Sequence, residues 1–569
     1  MAPSRTAGSS LIPSGESSAK PPLVGLARSL SSWFHRATGR LERHPVAFHS
    51  LSGVAVLAII LLLASSQALP AGSLPILGIC LLVSFLLGSL CLYIWTLQPE
   101  SMRRPKNLFL LASVILLAVA ITRYFLFFIP SVNQALPNVP LSALEYSIPV
   151  GLGGLLLTVL FNSRLAFAGA LAISILTSLL TSAGLRFFLF SFVGSLTAIF
   201  ALVGRKDRAT LLGAGVMVGL ANLYFILVWS LLSGATESLG LQLLCGAVNG
   251  LFVAILSLGL LPVFEYLFEV ATDFRLVELC NLNHPLLKEM ILKAPGTYHH
   301  SVVVGTLAEA AAQAIGVNPL LCRVGAYYHD IGKMTKPLYF VENQANARDR
   351  HGKLRPSLSS LVIVSHVKAG IELARAHGLP PAVVEMIPQH HGTRLVTFFY
   401  DKAKKVQDPD LGEVEEENFR YPGPKPQTKE SAILMLADAV EASSRTLTER
   451  TPGRFQGLVA KIVTAIFSDG QLNECDLTFR ELRLIEESFI RVLCGVYHPR
   501  VDYPGFVFEG PAARREFNQR ELSRAGILKF TLERPPARGE GDDDRGQKPT
   551  KEDQDRHHLP KKGRGDHPR

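Results

Sequence analysis

A chain of 569 residues is too long to close around one ordinary core, so it divides into two or more domains. Its net charge of +10 would suit a nucleic-acid surface, but many of the cations flank long apolar runs, which favours membrane orientation and excludes a nucleic-acid polymer as the expected partner. The seven cysteines form no CxxC pair, so neither a zinc knuckle nor a disulfide framework is indicated, as suits a soluble part in a reducing cytosol.

Residues 1–46 read as a basic, largely disordered cytoplasmic segment. Its first twenty residues are rich in Ser, Pro and Gly. Arg28, Arg36, Arg40 and Arg43 then accompany Leu30, Trp33 and Phe34, as the charged flank of a first membrane span or a short amphipathic surface segment. No convincing cleavage site follows the first apolar run, which is therefore read as an anchor.

Residues 47–268 form a transmembrane region of about eight helices, with apolar segments near 51–69, 73–97, 108–129, 143–161, 165–184, 187–203, 209–232 and 241–268. Most are about 18 to 25 residues long, enough to cross ~30 Å of hydrocarbon. Arg103, Arg104 and Lys106 follow the second segment, Arg164 the fourth, and Arg205, Lys206 and Arg208 the sixth. The opposite loops are short and carry only Arg186 and Glu237, so the positive-inside rule places both termini in the cytoplasm. Within the spans, Arg123 and Glu145 are read as interfacial, and Asn222 and Asn249 as hydrogen-bonding groups between helices.

The last span is expected to continue as a helix toward a soluble part, residues 269–504. Helical periodicity recurs there over 298–315, 319–333, 358–377, 381–390, 430–446, 455–467 and 479–496. A charged, Pro-containing excursion fills 401–429. Residues 505–569 are a charged, mostly disordered tail, and its His557 and His558 are not ligands. The fold class is thus all-α: a polytopic transmembrane bundle followed by a cytosolic helical domain.

The chemistry concentrates in residues 294–333 and the histidines beyond. On the first helix, Val304, Leu307 and Ala311 share a face with His300, which therefore points into the core, whereas His299 projects about 100° away. His329 and Asp330 are neighbours, and a carboxylate offers two oxygens to two cations where an imidazole binds one. His366 lies among Val362, Ala369, Gly370 and Leu373; His390 and His391 close a helix entered through Pro380 and Pro381. Asp438 sits beside Leu434, Met435 and Ala442 in an apolar helix that would otherwise exclude it. One core histidine is ordinarily structural. Five, with two aspartates, each on an apolar face or at a helix end, are explained together by metal ligation, which removes the desolvation problem for all of them.

YHDIGK and the upstream YHHS, with His366, the pair His390-His391 and LADAVEASSR, resemble the HD-domain phosphohydrolases. The apolar spans, LLPVFEYLFEVATDFRLVELCNLNHPLLKEMILKAPGTYHHS, NFRYPGPKPQTKESAILMLADAVEAS and VYHPRVDYP narrow the resemblance, over roughly residues 73–504, to the seven-transmembrane HD family of PgpH-type cyclic di-AMP phosphodiesterases. That resemblance implies a two-metal site. His300, His329, Asp330 and Asp438 hold one ion; Asp330, His366, His390 and His391 hold the other, with Asp330 as the bridge. Two divalent transition metal ions, iron or manganese, are implied. About 3.5 to 4 Å apart, such a pair activates water and neutralises phosphoryl charge. Asp330 and Lys333 are the implied catalytic residues, with Lys333 and Arg445 as phosphate contacts.

The implied protein is a multi-pass enzyme of the bacterial inner (plasma) membrane, its HD domain cytoplasmic, that hydrolyses a cyclic dinucleotide, cyclic di-AMP, to linear pApA. Its partners are that substrate and the lipid bilayer, and a homodimer is allowed. Two departures stand out. Only residues 70–73 occupy the place of the family's usual extracellular sensor domain. GTRLVTFFY after His391 also lacks the Gly-Tyr-Pro signature of enzymes that cleave cyclic di-GMP, and Tyr421-Pro422 occurs in a different context. The competing readings are a receptor that binds a nucleotide without cleaving it, a phosphohydrolase of another nucleotide, and a transporter. The last is disfavoured by the scarcity of ionisable residues within the spans.

Overall fold

The computed structural model describes residues 45–66, 73–97, 105–205, 207–344, 350–406 and 414–497. The expectations for residues 1–44 and 505–569, and for Arg103, Arg104 and Lys206, fall outside them. Among the described residues the fold is all helical; extended pairing is limited to one isolated bridge, Leu395 with Arg420.

Each apolar segment coincides with helix over most of its described residues. Six helical stretches of the first half are long and apolar enough to cross a membrane: Ser73–Thr96, Pro105–Ala135, Leu141–Leu160, Leu185–Leu202, Ala209–Ser233 and Leu239–Leu267. His49–Ala64 and Ser163–Ser178 are apolar but shorter. Length and composition alone also admit Pro356–Ala376, yet that helix packs on Ile331–Thr335 and Pro381–Gln389 in the second half. Many large side chains of the first half, among them Leu74, Phe85, Tyr224 and Leu232, are exposed, as suits a lipid-facing surface, so this is a membrane protein.

The segment read as one span over 143–161 is broken. A helix Leu141–Leu144 passes through a tight turn, Glu145–Ser147, and restarts as Leu152–Leu160, because Pro149 cannot continue the hydrogen-bond ladder. The freed carbonyls of Tyr146 and Ile148 both accept from the buried Asn249 side chain, 3.1 Å away for Tyr146. Asn222 donates to the Gly246 carbonyl of the neighbouring helix at 3.4 Å. Those two helices approach so closely that a Cβ on Gly250 would lie 2.5 Å from the Gly215 carbonyl oxygen. Arg123 donates to the Ser65 carbonyl at 2.8 Å, and Glu145 pairs with Arg186.

The last membrane helix does not run on into the second half, as its sequence suggests. It stops at Leu267, the chain turns at Glu269 (φ 47°), and a short helix, Asp273–Leu279, begins under a Thr272 cap. Two cations at the starts of membrane helices bind this turn. Lys106 lies 3.3 Å from Glu269; Arg208 lies 2.9 Å from Glu265 and 2.6 Å from Glu278, one carboxylate on each side of the break.

The second half has two apolar cores. One joins Pro295–Ile315, Lys429–Ser444, Pro452–Ser468 and Phe479–Val496 around Leu307, Leu436, Phe455 and Phe489. The other joins Asp273–Leu279, Pro285–Lys293, Pro319–Tyr328 and Pro381–Gln389 around Leu287, Tyr328, Ile331 and Ile387. The polar cluster described next draws its side chains from helices of both, so each core holds part of it.

Candidate metal centre

All seven residues singled out by the sequence meet in one buried cluster. His300 lies on Pro295–Ile315, His366 on Pro356–Ala376 and Asp438 on Lys429–Ser444; His390 and His391 follow Pro381–Gln389. His299 is exposed and outside it. His329 and Asp330 do not ride a continuous helix to Lys333. The helix Pro319–Tyr328 ends with them, and a tighter turn, Ile331–Thr335, follows. Gly332 makes this corner possible, since a Cβ there would collide with the His366 carbonyl oxygen.

Local hydrogen bonds set the ring orientations. The Nδ1–H groups of His329, His366 and His390 donate to the carbonyls three residues before them, Ala326, Ile363 and Ile387, at 2.7, 2.6 and 2.5 Å. Each Nε2 lone pair is thereby turned inward. The Nδ1–H of His300 donates to Glu441 instead, and its Nε2 lies 3.0 Å from Asp438 Oδ1.

Asp330 stands between the rings with its two oxygens facing different groups. Oδ2 lies 3.2 Å from His329 Nε2 and 3.7 Å from His300 Nε2; Oδ1 lies 3.3 Å from His366 Nε2 and 3.7 Å from His390 Nε2. Two sets of ligand atoms result, His300, His329, Asp330 and Asp438, and Asp330, His366, His390 and His391, each with its atoms within 4.8 Å of one another.

The donor set fits metal ions. His329, His366 and His390 Nε2 and both Asp330 oxygens are buried without a well-formed hydrogen bond among the described residues, although Lys333 Nζ lies 2.7 Å from Oδ2. So many converging orphan groups would be costly unless they bind a common cation. Imidazole with carboxylate is a set that divalent transition metals favour.

The carboxylates favour positive charge beside His300 and His329, a charge that a metal ion would supply in place of a ring proton. Burial opposes charge on His329, but Asp330 and Asp438 overcome it and raise the ring to about 10; His300 is raised likewise by Asp438 and Glu441. Burial lowers His390 to about 3 and also lowers His366 and His391, leaving these rings neutral. Both aspartates are held well below the usual carboxylate range, because the histidines overcome their desolvation, helped at Asp330 by Lys333.

Three further residues enter the site. Glu441, fully buried, bridges His300 to Arg445, whose Nε and Nη2 lie 2.6 Å from its Oε1. Arg445, expected at a phosphate, is thus engaged behind the cluster. Glu342 Oε1 lies 2.9 Å from Lys333 Nζ, so Lys333 is a buried ion-paired cation. Tyr421 returns from the charged excursion: its N–H donates to the Arg394 carbonyl at 3.0 Å, and its ring stacks on His391 at 4.2 Å. Glu441 could have been found three residues after Asp438 on one helix; Tyr421 stands in the NFRYPGPKPQTKES motif, though nothing there marks it as a site residue, and Glu342 carries no local signal. Replacing Glu441 with Gln is expected to weaken metal affinity ~10–100-fold, measured by manganese titration of purified protein. Unchanged affinity would mean that the carboxylate's charge on His300 is immaterial.

Residues 73–272 match the family model described as a 7TM receptor with intracellular HD hydrolase, and residues 297–443 match the HD domain. The chain is 37% identical over 439 residues to the cyclic-di-AMP phosphodiesterase PgpH of Bacillus subtilis, covering 76% of this chain and 60% of that protein. It is 38% identical over 415 residues to PgpH of Listeria monocytogenes, covering 72% and 56% respectively. A crystal structure of the L. monocytogenes PgpH HD domain in complex with cyclic-di-AMP is 48% identical and covers 39% of this chain and 100% of that chain, at a TM-score of 0.36. The chain therefore spans 60% or less of the length of these two curated relatives.

Proposed function

Because the chain belongs to the seven-transmembrane HD-domain family, we propose that it is a membrane-anchored phosphodiesterase that hydrolyses cyclic di-AMP to linear pApA. The observation that carries this reading is Asp330, one carboxylate oxygen toward each set of histidines. We assign the site two divalent ions, iron or manganese. When bound, such a pair supplies Lewis acidity toward the phosphodiester and activation of the attacking water.

The chain's own residues do the rest. His329, His366 and His390, locked through Nδ1, keep their lone pairs in fixed directions, so little reorganisation is needed when charge develops. Lys333 offsets the Asp330 charge and is the cation assigned to the substrate phosphate. Arg445 acts through Glu441 on His300. Water adds to phosphorus, the bond to one ribose 3′ oxygen breaks, and that oxygen leaves as a hydroxyl after taking up a proton. We place the HD domain and both termini in the cytoplasm and the helices in the bacterial plasma membrane, following the positive-inside rule. Lys106 and Arg208, two of the loop cations behind that assignment, pair with the turn that leads into the domain.

The test is the full chain in lipid nanodiscs, loaded with manganese or anaerobically with ferrous iron, incubated with cyclic di-AMP or cyclic di-GMP. Metal-dependent release of linear pApA from cyclic di-AMP, with no linear pGpG from cyclic di-GMP and neither product from Asp330→Asn, is expected. Tight binding of cyclic di-AMP to metal-loaded protein without cleavage would replace the enzyme with a receptor.

A further inference from the structure

Of the five cluster histidines, four have one ring nitrogen fixed by a hydrogen bond: three by backbone carbonyls and His300 by Glu441. His391 has no such bond among the described residues; its nearest carboxylate oxygen, on Asp438, is 3.9 Å from Nδ1. Its orientation is set by rings instead. Its ring contacts His390, tilted by 42° with centroids 3.9 Å apart, and stacks on Tyr421 at 4.2 Å and an interplanar angle of 29°. Stacked aromatic rings at such distances resist the ring rotation that a hydrogen bond blocks elsewhere.

Tyr421 is itself well held. The Leu395–Arg420 bridge and the bond from its N–H to Arg394 tie its segment to the chain just beyond His391. Arg420 adds a bond to the Thr393 carbonyl at 2.8 Å and a pair with Asp469 at 3.1 Å. Tyr421 is only 9% exposed, and its hydroxyl, with no hydrogen-bond partner among the described residues, is left accessible to solvent or ligand. The same residue lines an open hollow of about 570 Å³ with Thr393, Glu417, Arg420, Pro422, Lys425 and Asp469, so it has the metal cluster on one side and this hollow on the other.

We propose that Tyr421 completes the metal-phosphate site, holding His391 in its ligating orientation with the face of its ring and donating its hydroxyl to an oxygen of the bound phosphate. This rests on the phosphodiesterase reading above. The ring makes Tyr421 a positioning residue, and the hydroxyl makes it a substrate contact. The excursion over 401–429 thereby has a function: it brings this one side chain back to the site.

The test separates the two roles and does not depend on turnover. Full-length wild type, Tyr421→Phe and Tyr421→Leu, in nanodiscs, are titrated with manganese and then, fully loaded, with inorganic phosphate. Tyr421→Phe keeps the ring, so wild-type manganese affinity with phosphate binding weakened roughly 10-fold or more is expected. Tyr421→Leu removes the stack, so at least one manganese is expected to bind roughly 10-fold more weakly. Phosphate binding unchanged in the Phe variant overturns the hydroxyl's role, and manganese binding unchanged in the Leu variant overturns the ring's. With cyclic di-AMP, the Phe variant is expected to lose kcat/KM by at least the factor lost for phosphate. A wild type that binds manganese and phosphate but cleaves nothing would count against the phosphodiesterase reading alone.

Discussion

Asp330→Asn is expected to strip the protein of most of its metal and to lower cleavage of cyclic di-AMP by about 10³-fold or more, equivalent to ~4 kcal/mol of transition-state stabilisation. The substitution keeps shape and removes charge. Both oxygens of Asp330 are buried, each 3.2 to 3.7 Å from two histidine nitrogens. An amide offers one acceptor, and its NH2 group would face lone pairs that need a cation. Lys333 loses its 2.7 Å partner as well but keeps Glu342, so the fold should survive. Elemental analysis and a pApA release assay on the same preparation check this. Full metal content in the variant would remove Asp330 as the bridge.

Gly332→Ala should have a comparable effect by a different route. The added methyl would collide with the His366 carbonyl oxygen and lie 2.5 Å from the Gly370 nitrogen, both backbone atoms that no side-chain rotation can move. The helix Pro356–Ala376 must withdraw and carry His366 away from Asp330. We expect ~2–5 kcal/mol of destabilisation, read as a lowered thermal midpoint, and loss of the metal held with His366. Gly370→Ala is the matched control: its methyl meets the Ile387 side chain at 3.1 Å, which can yield, so a shift of about 1 kcal/mol or less is expected. Equal effects at the two glycines would show that the backbone contact is not what matters.

The contrast between these two glycines shows where the sequence stops informing. An apolar stretch long enough to span a bilayer is a local property, so the membrane half was legible from hydropathy. So were His300, His366 and Asp438, because a polar group on an apolar helix face is anomalous within its own few turns. The ends and interruptions were less legible. Pro149 breaks a span, but the break is tolerable only because Asn249, about a hundred residues later, bonds the two carbonyls it frees. The pattern of the last membrane helix predicts that it runs on. It stops at Leu267, in a turn held by Lys106 and Arg208 from remote loops.

The sequence by itself therefore determined the two solvents, the helical class and the chemical identity of the seven ligand candidates, since each depends on residues within one or two turns of one another. Only the tertiary structure decided which oxygen of Asp330 faces which histidines, that Lys333 and Arg445 are engaged by Glu342 and Glu441, and that Tyr421 covers His391. Those facts depend on helices and loops far apart in the chain, brought together by burial of two apolar cores. Burial is nearly indifferent to direction, whereas ligation and hydrogen bonding are not. The directional information thus appears only once the cores have placed the backbones.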